Sequence, residues 1–230
     1  VSRKAKGFCF FGMVDGPMKT NLRDIIRRHA ANPGAAEFLG QVTLDCERYL
    51  WPVIVDATRG CNLSCTFCYN SQNVRQEHAD DAIFERLGCV VLPHASEIAI
   101  GCRHEPLLHP DLIRGLQGLE QARQRTNAPA VFCLLTSGTL IEPALAHELA
   151  RCGLDHILIS VDTTDADTYA AIRPPATWPD LASRIKTLIS ANPRHVAALI
   201  LMTRSTLAHL VKTVEDLADL GLNQLGNSQM

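Results

Sequence analysis

From Leu50 onward the chain alternates between short apolar, β-branched runs and longer stretches whose apolar residues recur at helical spacing. The runs are Trp51–Ala57, Glu97–Gly101, Val131–Thr136, His156–Val161 and Val196–Thr203. Near-continuous apolar character of this kind predicts strands covered on both faces. Helices are expected between them at 79–92, 110–125, 142–152, 165–173 with 179–191, and 206–220. Punctuation supports these bounds. Thr164 or Asp165 can cap a helix, Gly153 and Gly221 follow two others, and Pro110-Asp111 and Glu142-Pro143 place proline and acid in first turns. Strand–helix units repeating at roughly 30–45 residues imply an α/β protein with a parallel sheet. Five units are complete, and a sixth strand is expected to begin near Asn223-Gln224-Leu225, close to the end of the chain.

Residues 1–48 read as a lead-in and 49–230 as one core domain. Within the lead-in, Phe8–Val14 is apolar, Gly16-Pro17 marks a turn, and Leu22, Ile25, Ile26 and His29 share a helix face that Asn32-Pro33-Gly34 ends. The chain opens on Val1 rather than Met, as a processed, trimmed or partial chain would. With 230 residues, 47% of them hydrophobic, there is ample material for a core, which excludes wholesale disorder. The longest N-terminal apolar run is broken by Gly12 and falls short of the roughly 18 residues of a membrane span, so no membrane partner is expected. A formal net charge of −2 gives no clear nucleic-acid surface.

Nine cysteines change the picture. An odd number, unevenly spread and without a signal peptide ahead of it, makes a poor disulfide framework; it fits a reducing, cytoplasmic compartment and a metal or redox site. Cys9, Cys46, Cys89, Cys102, Cys133 and Cys152 are scattered, whereas Cys61, Cys65 and Cys68 crowd into one segment directly after the first strand. Cysteines at i, i+4 and i+7 share a helix face and can pack as small hydrophobes. After Gly60 at a strand's end, however, a loop is expected, and such loops are where sites gather in parallel α/β folds. Two metal readings stand. A zinc-stabilised binding module without catalysis needs a fourth ligand from Cys89, Cys102 or a histidine. An iron–sulfur cluster also binds through thiolates, and three of them leave one iron open to an external ligand.

Cys61-x3-Cys65-x2-Cys68 followed by the aromatic Tyr69 resembles the signature of the radical S-adenosylmethionine (radical SAM) superfamily. The likeness spans Trp51 to Leu225. It implies that the three cysteines hold a [4Fe-4S] cluster, that the amino and carboxylate groups of S-adenosylmethionine chelate the fourth iron, and that Tyr69 lies near the adenine. Further on, Ile100-Gly101-Cys102-Arg103-His104-Glu105-Pro106-Leu107-Leu108-His109-Pro110-Asp111 resembles the family's Gly-Gly-Glu-Pro segment, whose backbone and Glu engage the methionine ammonium. Arg103-His104 stand where two glycines are usual, and Gly101 and Glu105 remain the cofactor-binding candidates. His104 and His109 are expected in solvent-facing or hydrogen-bonded roles rather than on a metal, and Cys102 in packing or facing substrate.

Thr136-Ser137-Gly138-Thr139-Leu140 resembles Thr-Asn-Gly-x-Leu. Ser160-Val161-Asp162 with Ile172-Arg173 resembles a pattern of the molybdopterin-cofactor and peptide-modifying subgroup. That likeness implies cofactor contacts from Thr136, Ser137 and Ser160 and a carboxylate partner in Arg173, whose fork suits the task. Asp162 can alternatively cap the next helix. The implied fold is an incomplete (β/α)6 TIM-like barrel, cut short at the sixth strand. The implied activity is reductive cleavage of S-adenosylmethionine to a 5′-deoxyadenosyl radical that abstracts hydrogen from a peptide, protein or small cofactor precursor. An external one-electron reductant, flavodoxin- or ferredoxin-like, is the implied partner, and no catalytic residue is assigned beyond the cluster and cofactor.

Overall fold

The computed structural model describes residues 51–68, 76–80, 82–222 and 224–228. The lead-in 1–48 with its expected helix face, and Tyr69, lie outside the described residues. In chain order, β1 (Trp51–Val55) precedes a short antiparallel pair, β2 (Thr58–Arg59) and β3 (Glu77–His78), which brackets the cysteine loop. There follow α1 (Ala82–Arg86), β4 (Ala95–Ile100), α2 (Leu112–Thr126), β5 (Val131–Thr136), α3 (Pro143–Arg151), β6 (His156–Ser160), α4 (Ala166–Ile172), α5 (Trp178–Ser190), β7 (Val196–Leu201), α6 (Arg204–Leu207), α7 (Leu210–Asp219) and β8 (Leu225–Ser228).

β1, β4, β5, β6, β7 and β8 form one six-stranded sheet in that order, every neighbouring pair parallel. The sixth strand expected near Leu225 is β8. β1 and β8 remain edges, so among the described residues the barrel does not close. Strand side chains alternate between two faces. One face supplies Ile98, Ile100, Phe132, Leu134, Ile157 and Ile159, which join Leu116 and Leu119 of α2, Leu149 of α3 and Leu181, Ile185 and Leu188 of α5 in a single core. Ala99, Cys133, Leu158 and Ala197, each at most 1% exposed, occupy the other face. Burial on both sides is why the strands read as continuous apolar runs.

Two helices depart from expectation. Only Ala82–Arg86 of the stretch 79–92 is α-helical; Leu87–Val91 winds as a π-turn and Leu92–His94 as a 3₁₀ turn. Pro93 tightens the end, and Gly88 lets the turn approach α2, since a Cβ there would sit 3.2 Å from Ala122. The stretch 206–220 begins earlier and divides: Thr203 and Thr206 form a reciprocal capping box that starts α6, and α7 restarts after His209. Asp165, not Thr164, caps α4, accepting from the Thr168 amide at 2.9 Å.

Candidate functional site

The cysteine loop leaves β1 at the C-terminal edge of the sheet and is tied down at both ends. The Ala79 amide donates to Ala57 O, and β2 pairs with β3. Across the loop, the Ser64 amide donates to Pro174 O at 2.8 Å and the Thr66 amide to Ile172 O at 2.9 Å. The segment after α4 thus acts as a backbone strap for the thiols. Cys61 is exposed, Cys65 buried and Cys68 half-buried. The three thiols lie within electrostatic reach of one another. Burial raises the Cys61 and Cys65 thiols above their ordinary pKa; beside Cys65 the Arg173 guanidinium pulls the other way.

Among the described residues no three His, Cys, Asp or Glu side chains converge closely enough to hold a single metal ion. The zinc module therefore finds no support in the donor geometry. A four-iron cluster makes a different demand, because each thiolate binds its own iron at a separate corner.

Glu105 is 2% exposed and fully engaged. Its Oε1 accepts from Thr136 Oγ1 at 2.6 Å and the Leu107 amide at 3.1 Å; its Oε2 accepts from the Ser137 amide at 2.8 Å and Ser137 Oγ at 2.7 Å. Its own amide donates to Gly60 O at 3.0 Å. Glu105 therefore binds the end of β5 to the loop after β4 and to the base of the cysteine loop. The direct ammonium contact implied by the family likeness is not open in this arrangement, since both oxygens already carry two donors each. Ser137 Oγ has a second neighbour, Thr139 Oγ1 at 2.9 Å, which in turn accepts from Asn62 Nδ2 at 2.8 Å in the cysteine loop.

Gly101 is required by the packing of the chain. It has φ +83°, and a Cβ there would lie 2.6 Å from Leu135 O and 2.8 Å from Pro106 Cγ. The loop that carries Arg103 and His104 in place of glycines is held by Asp56, whose Oδ1 accepts from the amides of Cys102 and Arg103. Cys102 is exposed beside it. His109 is hydrogen-bonded rather than metal-binding: Nε2 pairs with Ala79 O at 3.1 Å and Nδ1 accepts from the Asp111 amide at 3.2 Å. Ser160 sits half-buried at the end of β6.

Arg173 departs most from expectation. Nε and Nη2 both grip Asp162 Oδ2 at 2.7 Å, so the fork expected to meet a ligand carboxylate is occupied by the chain's own. Nη1 points to Cys65 Sγ at 3.8 Å, and the guanidinium carbon lies 5.2 Å from the Phe67 ring centroid. Asp162 is no helix cap; it adopts φ +64°, and its Oδ1 accepts from the Leu201 amide of β7. Close by, Tyr169 is fully buried with a hydroxyl that has no hydrogen-bond partner, in electrostatic reach of Arg173, Asp162 and Cys65. A buried donor left unmade costs about 1–3 kcal/mol, and such an orphan beside a thiol fits a site completed by a bound acceptor. Asp162, Tyr169 and the strap carbonyls were not singled out as site residues by sequence; the one signal was Asp162 in the Ser-Val-Asp run.

Three thiols on a strapped loop lie at the C-terminal mouth of a parallel α/β sheet that does not close among the described residues, the place where such folds gather their sites. The chain belongs to the radical SAM superfamily, whose sequence pattern matches residues 55–217. It is 29% identical over 174 residues to the probable GTP 3',8-cyclase of Methanopyrus kandleri, covering 73% of this chain and 53% of that one. It is 29% identical over 158 residues to the PqqA peptide cyclase of Gluconobacter oxydans, covering 66% and 38%. Among solved structures, anSMEcpe with bound AdoMet aligns with a TM-score of 0.65 at 22% identity, covering 79% of this chain and 50% of that one. Streptococcus suis SuiB bound to S-adenosylmethionine aligns with a TM-score of 0.64 at 13% identity, covering 93% and 52%. These structural likenesses establish the partial-barrel fold. The chain spans about half, or less, of the length of the curated relatives it matches. The superfamily uses a [4Fe-4S] cluster and S-adenosylmethionine, and among the described residues no helix is long and apolar enough to cross a membrane.

Proposed function

We propose that residues 49–230 are the core of a radical SAM enzyme, preceded by the lead-in 1–48, and that Cys61, Cys65 and Cys68 hold its [4Fe-4S] cluster. The observation that carries this reading is the placement of the three thiols on one strapped loop at the strand mouths. When bound, the cluster and S-adenosylmethionine supply one-electron cleavage of the sulfonium and a 5′-deoxyadenosyl radical. The chain's own part is to hold, orient and exclude water. The strap from Ile172 and Pro174 fixes the loop, and the buried wall behind Cys65 keeps that side dry.

Toward S-adenosylmethionine, Glu105 supplies the negative charge that favours an ammonium, and the donor it can release is Ser137 Oγ, which turns to Thr139. Gly101 and Thr136 shape that wall, Ser160 offers a hydroxyl from β6, and Tyr69 is assigned to the adenine by family likeness. The substrate class is a peptide, protein or small cofactor precursor. It is supported by relatives named as a GTP cyclase and a peptide cyclase, and by a neighbour, SuiB, solved with a precursor peptide. A flavodoxin- or ferredoxin-like protein delivers the electron, and three thiols crowded into one loop suit a reducing cytoplasm.

Anaerobic reconstitution tests the reading. About four irons and four sulfides per chain, with 5′-deoxyadenosine formed from S-adenosylmethionine and dithionite, support it. One tightly held zinc with no iron would sink it.

A further inference from the structure

Arg173 was expected at a ligand carboxylate, yet its geometry points elsewhere. The side chain is 8% exposed and that of its partner Asp162 2%, so the pair lies inside the protein rather than on the wall of an open mouth. Asp162 takes two of the three guanidinium nitrogens, and the amide of Leu201 on β7 holds Asp162 from its other oxygen. The nitrogen left over is directed at Cys65 Sγ. Phe67 lies over the guanidinium, and the backbone on either side of Arg173, Ile172 O and Pro174 O, is bonded to the cysteine loop. The backbone of Arg173 therefore cannot move relative to the cysteine loop without breaking the strap, and Asp162 holds its side chain.

We propose that Arg173, clamped by Asp162, is a positioning residue that donates an N–H···S hydrogen bond to the cluster ligand Cys65 and thereby raises the cluster's reduction potential. The inference rests on the cluster assignment above and goes beyond it. Reduction adds one electron to a cluster whose ligand sulfurs already carry negative charge. A hydrogen-bond donor and a nearby cation stabilise the reduced state more than the oxidised one, and both are established controls of cluster potential. Asp162 tempers the effect, because its negative charge opposes that of the guanidinium on the same site. The pair thus acts with opposite signs, which a purely structural clamp would not do.

The test is a one-electron redox titration of the reconstituted cluster, without S-adenosylmethionine, followed by electron paramagnetic resonance. Dithionite supplies the electron and mediators set the ambient potential. Arg173→Gln is expected to retain four irons and lower the ratio of reduced to oxidised cluster about tenfold at fixed potential, a shift of about 59 mV for one electron. Asp162→Asn keeps an oxygen for the Leu201 amide and is expected to shift the potential upward. If Arg173→Gln holds its iron at an unchanged potential, the proposal is overturned. If it weakens S-adenosylmethionine binding at the same time, the carboxylate role returns. Should Arg173→Gln fail to hold iron, Asp162→Asn decides: an upward shift supports the proposal, and none or a downward one refutes it. Wild-type protein that binds no iron would instead refute the cluster assignment.

Discussion

Glu105→Gln isolates the network at the mouth. The wild-type carboxylate accepts from two hydroxyls, Thr136 and Ser137, and from two backbone amides, Leu107 and Ser137. Glutamine keeps the shape but replaces one oxygen with a donor. The hydroxyls can turn away, Ser137 Oγ toward Thr139. The amides cannot, and one of them sits on each oxygen. Either orientation of the new side chain therefore orphans one buried N–H, at about 1–3 kcal/mol, and turns the surviving charge-assisted bonds into neutral ones, about 1 kcal/mol weaker each. The expected loss is at least about 3 kcal/mol, a large part of the roughly 5–15 kcal/mol that keeps a domain folded. With a urea slope of about 2–3 kcal/mol per molar for a domain of this size, the midpoint should fall by about 1–1.5 M. Urea unfolding of cluster-free protein, kept anaerobic and followed by far-ultraviolet circular dichroism, measures it. A midpoint within about 0.3 M of wild type at an unchanged slope, well inside the shift expected from the lost bonds, would refute the reasoning. Glu105 would then be no structural pin, and its burial would have to be explained by a ligand.

Cys65→Ser should abolish cluster loading while leaving the apo fold intact, since the serine oxygen replaces a thiol already deep in the protein; iron at wild-type stoichiometry would contradict the ligand assignment. Gly101→Ala should destabilise by roughly 2–5 kcal/mol, because φ is +83° and the added carbon meets the Leu135 carbonyl, which cannot yield; an unchanged thermal midpoint argues otherwise. Asp155 offers a pH test at the opposite end of the sheet. Burial opposes its charge, but the Phe132 amide and the guanidiniums of Arg123 and Arg194 outweigh this and hold its carboxyl below the ordinary value. A depressed pKa contributes stability above the unfolded Asp value of about 3.9 and loses it as pH falls through the folded value. The gap between wild type and Asp155→Asn, from thermal melts across pH, should narrow as pH falls below about 4; a gap that stays constant to lower pH counts against the pairing.

What the sequence disclosed follows from how local each signal is. Val131–Thr136 matches β5 at both ends because both faces are covered and four of its six residues, Phe132 to Leu134 and Thr136, are buried. Glu77–His78 carries no such signal, since two exposed residues have no periodicity to read, yet this strand closes the cysteine loop. Cys61, Cys65 and Cys68 were legible because their chemistry is contiguous. Glu105 stood out in the sequence as a cofactor-binding candidate but not as a hub, because its partners Thr136 and Ser137 stand 31 and 32 residues away at the end of β5. For Asp162, two local readings competed, and neither includes the arginine it holds eleven residues on.

An open barrel faces a problem that a closed one does not. Closure fixes the strand ends of a full barrel relative to each other through continuous pairing, whereas among the described residues β1 and β8 are edges. Side chains supply the missing constraint at the mouth. Asp56 joins the end of β1 to the loop after β4; Gly60 and Glu105 join the cysteine loop to β5; Asn62 and Thr139 repeat that link; Asp162 joins β6 to β7 and, through Arg173, to Cys65. Five of the six strand ends are connected in this way, the Asp56 link by an exposed hydrogen bond and the side-chain links of Asn62, Glu105, Asp162 and Arg173 by buried or half-buried ones. A site that must hold a cofactor within about 0.5 Å of a working geometry needs such support from behind its ligands. The buried carboxylates of Glu105 and Asp162 are therefore best understood together. Each spends its lone pairs on the protein, and in doing so fixes the positions from which other groups meet the ligand.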